Sequence, residues 1–294
     1  NETAAIWEKL GISKDHICFY GFKKNWWSRS GEPDQMPPGE PGGPDSEVFY
    51  EFTDVEHDSK YGPKCHPNCD CGRFLEIGNS VFMQYQKQSD GSLKELPNKN
   101  VDFGGGLERT LAAVQNTPDI FQTDLFCEII KTIEQFSGQK YSDTQNQSAM
   151  RIIADHIKAS VMLIADGVTP SNKAQGYMLR RLIRRAAVKM RKLTGKSVVE
   201  FSKQISSSAG KIYLNQYLSD RQILNASIVV SEEVDKFDRV LSRGLKEISK
   251  YPKLDGKTAF DLLQSYGFPW ELTYEIATEQ GQHLDIKDFQ TEFT

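Results

Sequence analysis

The sequence lacks any apolar run approaching the roughly 18 residues that cross a bilayer. Its first ten residues carry Glu2, Glu8 and Lys9 where a signal peptide would be apolar. A cytoplasmic protein is expected rather than a membrane or secreted one. Cysteine is scarce, five in all and an odd number, so no disulfide framework is expected. Net positive charge is also absent: 36 Lys+Arg against 40 Asp+Glu give −4, which excludes a chain that is basic throughout. Repeats and low-complexity tracts are missing. At 38% apolar and 26% charged over 294 residues, the composition fits neither a disordered, a collagen-like nor a coiled-coil chain. The length allows one or two domains. No initiating methionine is present. The chain opens at Asn1 in a helical pattern and stops over 285–294 without a terminating feature, so it reads as part of a larger polypeptide.

Three of the cysteines, Cys65, Cys69 and Cys71, fall within seven residues, next to His66 and near His57. Clustered thiols beside imidazole suit zinc, which takes four soft or borderline ligands in a tetrahedron. The single residue between Cys69 and Cys71 makes the spacing irregular, so a reduced-thiol loop stays open as the alternative. The expected ligand set is Cys65, Cys69, Cys71 and His66, with His57 as the other choice for the fourth position.

Residues 1–145 read as mixed α/β, with strand-like runs at 17–21, 47–52, 73–86 and 100–104 whose natural pairing is antiparallel. Between Gly31 and Pro44, nine of fourteen residues are Gly or Pro, which predicts a loop and neither helix nor central strand, lining a site or, as the plainer alternative, a surface excursion. Residues 146–282 read as a helical domain, with amphipathic helices over 148–165, 174–193, 200–218, 219–250, 256–266 and 271–281. The recurrence of Ile152, Ile153, Ile157, Val161 and Ile164 supplies one buried face. Residues 283–294 read as the start of a linker.

Seven basic residues and no acidic one lie between Arg180 and Lys192. No Glu at helical spacing relieves their repulsion, which favours a phosphate-binding stripe over a merely solvated face, the plainer alternative. The segment 100–110, Asn-Val-Asp-Phe-Gly-Gly-Gly-Leu-Glu-Arg-Thr, places a glycine run between strand and helix. A flat or anionic ligand can approach such a backbone, and Arg109 in the first helical turn can meet phosphate. Asp102 offers a carboxylate to an ammonium group, and Glu76, Asn79 and Gln84 are polar positions on the strand 73–86. A tight turn with exposed polar residues is the plainer alternative.

Taken together, Asn25-Trp-Trp27, the segments 41–47, 73–84 and 101–109, Ala154-Asp-His-Ile157, 164–172, 176–185 and Ser265-Tyr-Gly-Phe-Pro269 resemble the alanyl-tRNA synthetases. They run in family order over nearly the whole chain. The resemblance implies an α+β fold, a class II antiparallel sheet with flanking helices followed by an all-α tRNA-recognition domain. It implies ligation of L-alanine to tRNA(Ala) through alanyl-adenylate, with ATP and Mg²⁺. Carried over by residue, Asp102 holds the alanine ammonium group, Trp27 and Val81 wall the methyl pocket, Asn79 fixes the polar end and Gly104 leaves room. Arg109, Gly106 and Glu76 serve ATP. Asn172 reads an acceptor-stem G·U pair, and Arg180, Arg181, Arg184 and Arg185 contact phosphates. Asn172 as a mere helix cap is the bland alternative.

Two departures accompany the resemblance. The family's second reader of the G·U pair is an aspartate, where this chain has Gln264. The family's first two class motifs have no counterpart in residues 1–294, so activity is expected only with an amino-terminal part supplied. An acceptor-stem-binding protein without catalysis, or one subunit of a split synthetase, is the second functional expectation.

Overall fold

The computed structural model describes residues 2–291 apart from 196, 197, 252, 267 and 269. Gly267 and Pro269 of the late motif, and the last three residues of the expected linker, lie outside the described residues. The chain divides into two compact units, Asn1–Thr123 and Asp124–Thr294.

The first unit is built on a four-stranded antiparallel sheet in the order β1-β2-β3-β4: β1 Trp26–Ser28, β2 Pro41–Glu51, β3 Phe74–Lys87 and β4 Leu93–Gly105. Helices α1 Glu2–Lys9, α2 Phe22–Asn25 and α3 Leu107–Val114 accompany it. The antiparallel α+β expectation holds, with two local corrections. The run 17–21 forms no strand; the backbone N–H of Tyr20 is instead taken by Asn25 Oδ1 at 2.9 Å, a side-chain bond in place of a ladder. The Gly/Pro stretch is a loop only up to residue 40, because Pro41–Pro44 opens β2, which is central between β1 and β3. What allows this is a register shift between Gly42 and Asp45, together with a backbone approach that only glycine permits. A Cβ on Gly43 would stand 1.7 Å from the Phe82 carbonyl oxygen.

A second irregularity decides which residues share a face. Val48 pairs with Gly78 but Phe49 pairs with Glu76, so Ile77 is the extra residue of a bulge in β3. Strands alternate with period two, and without the bulge Glu76 and Asn79 would point to opposite sides. With it, both point the same way.

The second unit is helical: α4 Cys127–Ser137, α5 Thr144–Ala165, α6 Ala174–Thr194, α7 Val199–Lys211, α8 Asp220–Ile248, α9 Gly256–Tyr266, α10 Trp270–Glu279 and α11 Ile286–Thr291. Ile153, Ile157, Val161 and Ile164 of α5 meet the same core as Ile183 and Ala187 of α6 and Val230, Val234 and Phe237 of α8, all buried. The helix expected over 200–218 stops at Lys211. Ser219 then opens α8 in a reciprocal capping pair with Gln222. Inside the stretch expected as linker, α11 seats Phe289 on Trp270, with ring centroids 4.5 Å apart. Among the described residues, no helix is long and apolar enough to cross a membrane.

Candidate functional site

In the first unit the pairing register assembles one polar sheet face. Asn79 lies opposite Glu47 on one side and Gly104 on the other, and Val81 lies opposite Asp45 and Asp102. Residues directly opposite share a face, and so do positions two apart. Asp45, Glu47, Asn79, Val81, Asp102 and Gly104 therefore form one surface, to which the bulge at Ile77 adds Glu76. Ser46 points the other way and accepts a hydrogen bond from the Trp7 indole of α1 at 2.8 Å, so α1 covers the back of the sheet. Trp27 on β1 lies opposite Gly43 and is 42% exposed, while Val81 is buried. The sequence-derived candidates of this face are thus brought together. Asp45 and Glu47 were not among them; their alternation inside the segment 41–47 was the available signal.

This face is electrostatically loaded. Asn79 Nδ2 donates to Asp45 Oδ2 at 3.2 Å, leaving Asp45 Oδ1 and Asn79 Oδ1 buried without a hydrogen-bond partner among the described residues. Burial raises the Asp45 carboxyl above its ordinary range. Glu47 is pushed up to about 7, first by burial and then by the charges of Glu76 and Asp45. Glu76 Oε2 in turn stands 3.1 Å from Arg109 Nη1, which places the guanidinium over the end of the sheet face. The glycine run carries the chain from β4 into α3. The Gly106 N–H bonds the Ile77 carbonyl at 3.2 Å, and a Cβ on Gly106 would come 2.7 Å from Arg109 Nε. Gly104 differs, since a Cβ there would meet nothing within 4 Å. Its missing side chain leaves open room beside the exposed Asp102 carboxylate. Such a face can receive a cation at Asp102 and an anion at Arg109.

At the cysteine loop, the ligand atoms of His57, Cys65, Cys69 and Cys71 all lie within 4.8 Å of one another. A tetrahedral zinc with three thiolates has sulfur–sulfur edges of roughly 3.8 Å. Cys65 Sγ and Cys71 Sγ are 3.5 Å apart, and Cys69 Sγ is 3.7 Å from His57 Nδ1. His57 Nε2 donates to the Gly62 carbonyl at 2.8 Å, so in the neutral ring Nδ1 keeps its lone pair toward the sulfurs, as a metal ligand requires. The donor set and its orientation fit zinc. The expected fourth ligand is corrected: His66 Nδ1 is engaged by the Tyr20 hydroxyl at 2.9 Å, and His57 takes the position. Proximity to His57 also pulls the Cys71 thiol down to about 6.

In the second unit, Asn172 is exposed in the turn between α5 and α6. It does not cap α6: the cap position is Lys173, and the Asn172 Oδ1 accepts from Arg180 Nη1. The basic stripe is not an unrelieved row of charge. Arg180 and Arg184 both reach the buried Glu233 of α8, Arg191 pairs with Asp238 at 2.7 Å, and the buried Lys189 pairs with Glu275 of α10. Acids distant in sequence relieve what no i,i+4 partner could. Arg181 and Arg185 point outward and are exposed. Gln264 is exposed on α9, a separate element.

A family profile described as tRNA synthetases class II (A) matches residues 1–294. The chain is 41% identical over 303 residues to the alanine–tRNA ligase of Treponema denticola, covering 99% of this chain and 49% of that protein. It is 39% identical over 304 residues to the alanine–tRNA ligase of Borreliella afzelii, covering 99% and 49%. Against the alanine–tRNA ligase of Thermotoga maritima it is 38% identical over 297 residues, covering 98% of this chain and 33% of that one. The chain therefore spans between a third and about half the length of these relatives.

Proposed function

The chain belongs to the alanyl-tRNA synthetase family of class II tRNA synthetases, and from that premise we propose that it works in the cytoplasm in ATP-dependent ligation of L-alanine to tRNA(Ala) through alanyl-adenylate. The observation that carries the proposal is the single face on which β2, β3 and β4 gather Asp45, Glu47, Asn79, Val81, Asp102 and Gly104. On it Asp102 receives the alanine ammonium group in the open space at Gly104. Val81 and Trp27 flank the alanine methyl group, and Asn79 fixes the substrate's polar end. Arg109 meets the triphosphate after exchanging Glu76 for phosphate oxygens, which frees Glu76 for Mg²⁺ or the nucleotide. Gly106 lets Arg109 lie flat against the helix start. Attack of a carboxylate on the α-phosphate gains chiefly from positioning and charge neutralisation, so no general base is assigned.

In the helical unit, Asn172 and Gln264 read the acceptor-stem G·U pair, and Arg181 and Arg185 contact the RNA phosphates. Arg180 and Arg184 support them from within. His57, Cys65, Cys69 and Cys71 hold a structural Zn²⁺, which would cross-link the loop ahead of β3. Titration of the chain with a non-hydrolysable alanyl-adenylate analogue tests the sheet-face reading by calorimetry. Asp102→Ala should weaken binding by about tenfold or more, the loss of a charge-assisted hydrogen bond. Equal binding by the variant would refute the role given to Asp102.

A further inference from the structure

The buried acid of the helical unit has no part in the function described so far. Glu233 of α8 has a side chain only 5% exposed, and its Oε1 lies 2.8 Å from Arg184 Nε and 3.4 Å from Arg180 Nε. Arg184 is further fixed by Phe237, whose ring centroid lies 5.0 Å from the guanidinium carbon. Arg180 extends the chain of contacts outward, since its Nη1 donates to Asn172 Oδ1. One carboxylate thus hydrogen-bonds Arg184 and stands in a longer ion pair with Arg180, whose Nε has no hydrogen-bond partner among the described residues, and Arg180 in turn holds the exposed amide.

The backbone around Asn172 is already set without Glu233. The Ser171 N–H bonds the Gly176 carbonyl at 3.1 Å, and a Cβ on Gly176 would lie 2.5 Å from the Thr169 carbonyl oxygen, so turn and helix start are packed directly together. The side chain of Asn172, by contrast, is directed by Arg180. Arg180 and Arg184 are four residues apart on one helix, where like charges repel. Without the carboxylate between them, Arg180 gains by swinging into water, and Asn172 loses the donor that orients it.

We propose that Glu233 is a positioning residue for RNA recognition, which through Arg180 turns the Asn172 amide so that its N–H₂ faces outward. The proposal rests on the reading of Asn172 as the G·U-contacting residue. It adds that Asn172 acts as a hydrogen-bond donor, toward acceptors such as a base O2 or N3 or a ribose 2′ oxygen in the shallow groove. A pre-oriented amide discriminates between base pairs, whereas a free one binds with little preference.

The test uses two fluorescently labelled acceptor-stem hairpins of tRNA(Ala) sequence, one with the G·U pair and one with G·C in its place, titrated with the chain by anisotropy. The ratio of the two affinities is the readout. Both RNAs meet the same protein sample, so a loss of folded fraction cancels in that ratio. The unaltered chain should prefer the G·U hairpin by about tenfold, the scale of one misread base pair, and Asn172→Ala should lower the ratio to the share that Gln264 supplies. Glu233→Ala should do the same and should add nothing when combined with Asn172→Ala. Glu233→Gln, which preserves shape and removes the charge, carries the same prediction should the alanine variant fail to fold. A preference retained in Glu233→Gln while Asn172→Ala lowers it would overturn the proposal and leave the reading of Asn172 standing. No preference in the unaltered chain, or one undiminished by Asn172→Ala, would overturn both.

Discussion

Glu47 illustrates how the sheet face taxes stability. Its carboxyl holds its proton up to about 7 in the folded chain, against an ordinary value of 4.5. Between those values the folded state binds more protons than the unfolded one. The contribution of this residue is therefore present below about 4.5 and is lost as pH rises through about 7. Glu47→Gln removes that slope. Urea midpoints at about pH 5 and about pH 8 should show the variant gaining on the original chain as pH rises; an equal difference at both would contradict the assignment. Asp102, Asn79, Val81 and Arg109 were legible as candidates because their motifs are local. Glu47 was not, since its carboxyl is raised first by burial and then by Glu76 and Asp45 on the same face, all of which depend on the register. His57 was legible only as one of two choices, because the sequence shows which histidines are close but not which ring is already engaged by Tyr20.

At the scale of elements, β2 and the cysteine loop are the most exacting. A methyl group on Gly43 has no space beside the Phe82 carbonyl. Gly43→Ala should destabilise the first unit by about 3 kcal/mol or more, because the clash is with backbone and cannot be relieved by a rotamer change. A thermal midpoint within a degree or two of the original would show that β2 shifts freely. At the cysteine loop, the protein as purified should contain about one zinc per chain. Chelation, or Cys69→Ser, should lower the melting temperature and remove the metal together. Unchanged stability after complete chelation would assign the cluster to reduced thiols. Most helices of the second unit were readable from apolar periodicity, but the one expected over 200–218 stops at Lys211, and neither α4 nor α11 was expected. The strand character of Pro41–Pro44 was not, since composition argues against it and only the close packing of Gly43 and the register shift permit it. The basic face of α6 was visible, but its partners Glu233, Asp238 and Glu275 lie 47 or more residues away or on α10, beyond any helical spacing rule.

At the scale of the molecule, two compact units carry separate chemistry, a sheet face with paired and unpaired carboxylates and a helical unit with an exposed amide on an ion-paired scaffold. The order of motifs along the chain made both legible, while the non-local pairs that give each site its electrostatics needed the fold. The central claim is that the sheet face forms the alanine and nucleotide side of an activating site. Alanine-dependent exchange of pyrophosphate into ATP tests it most directly, measured on the chain by itself and with an amino-terminal segment carrying the first two class motifs. The account predicts alanine-dependent exchange in the mixture, abolished by Asp102→Ala in the chain. Exchange that ignores Asp102→Ala, or none under either condition, would contradict it.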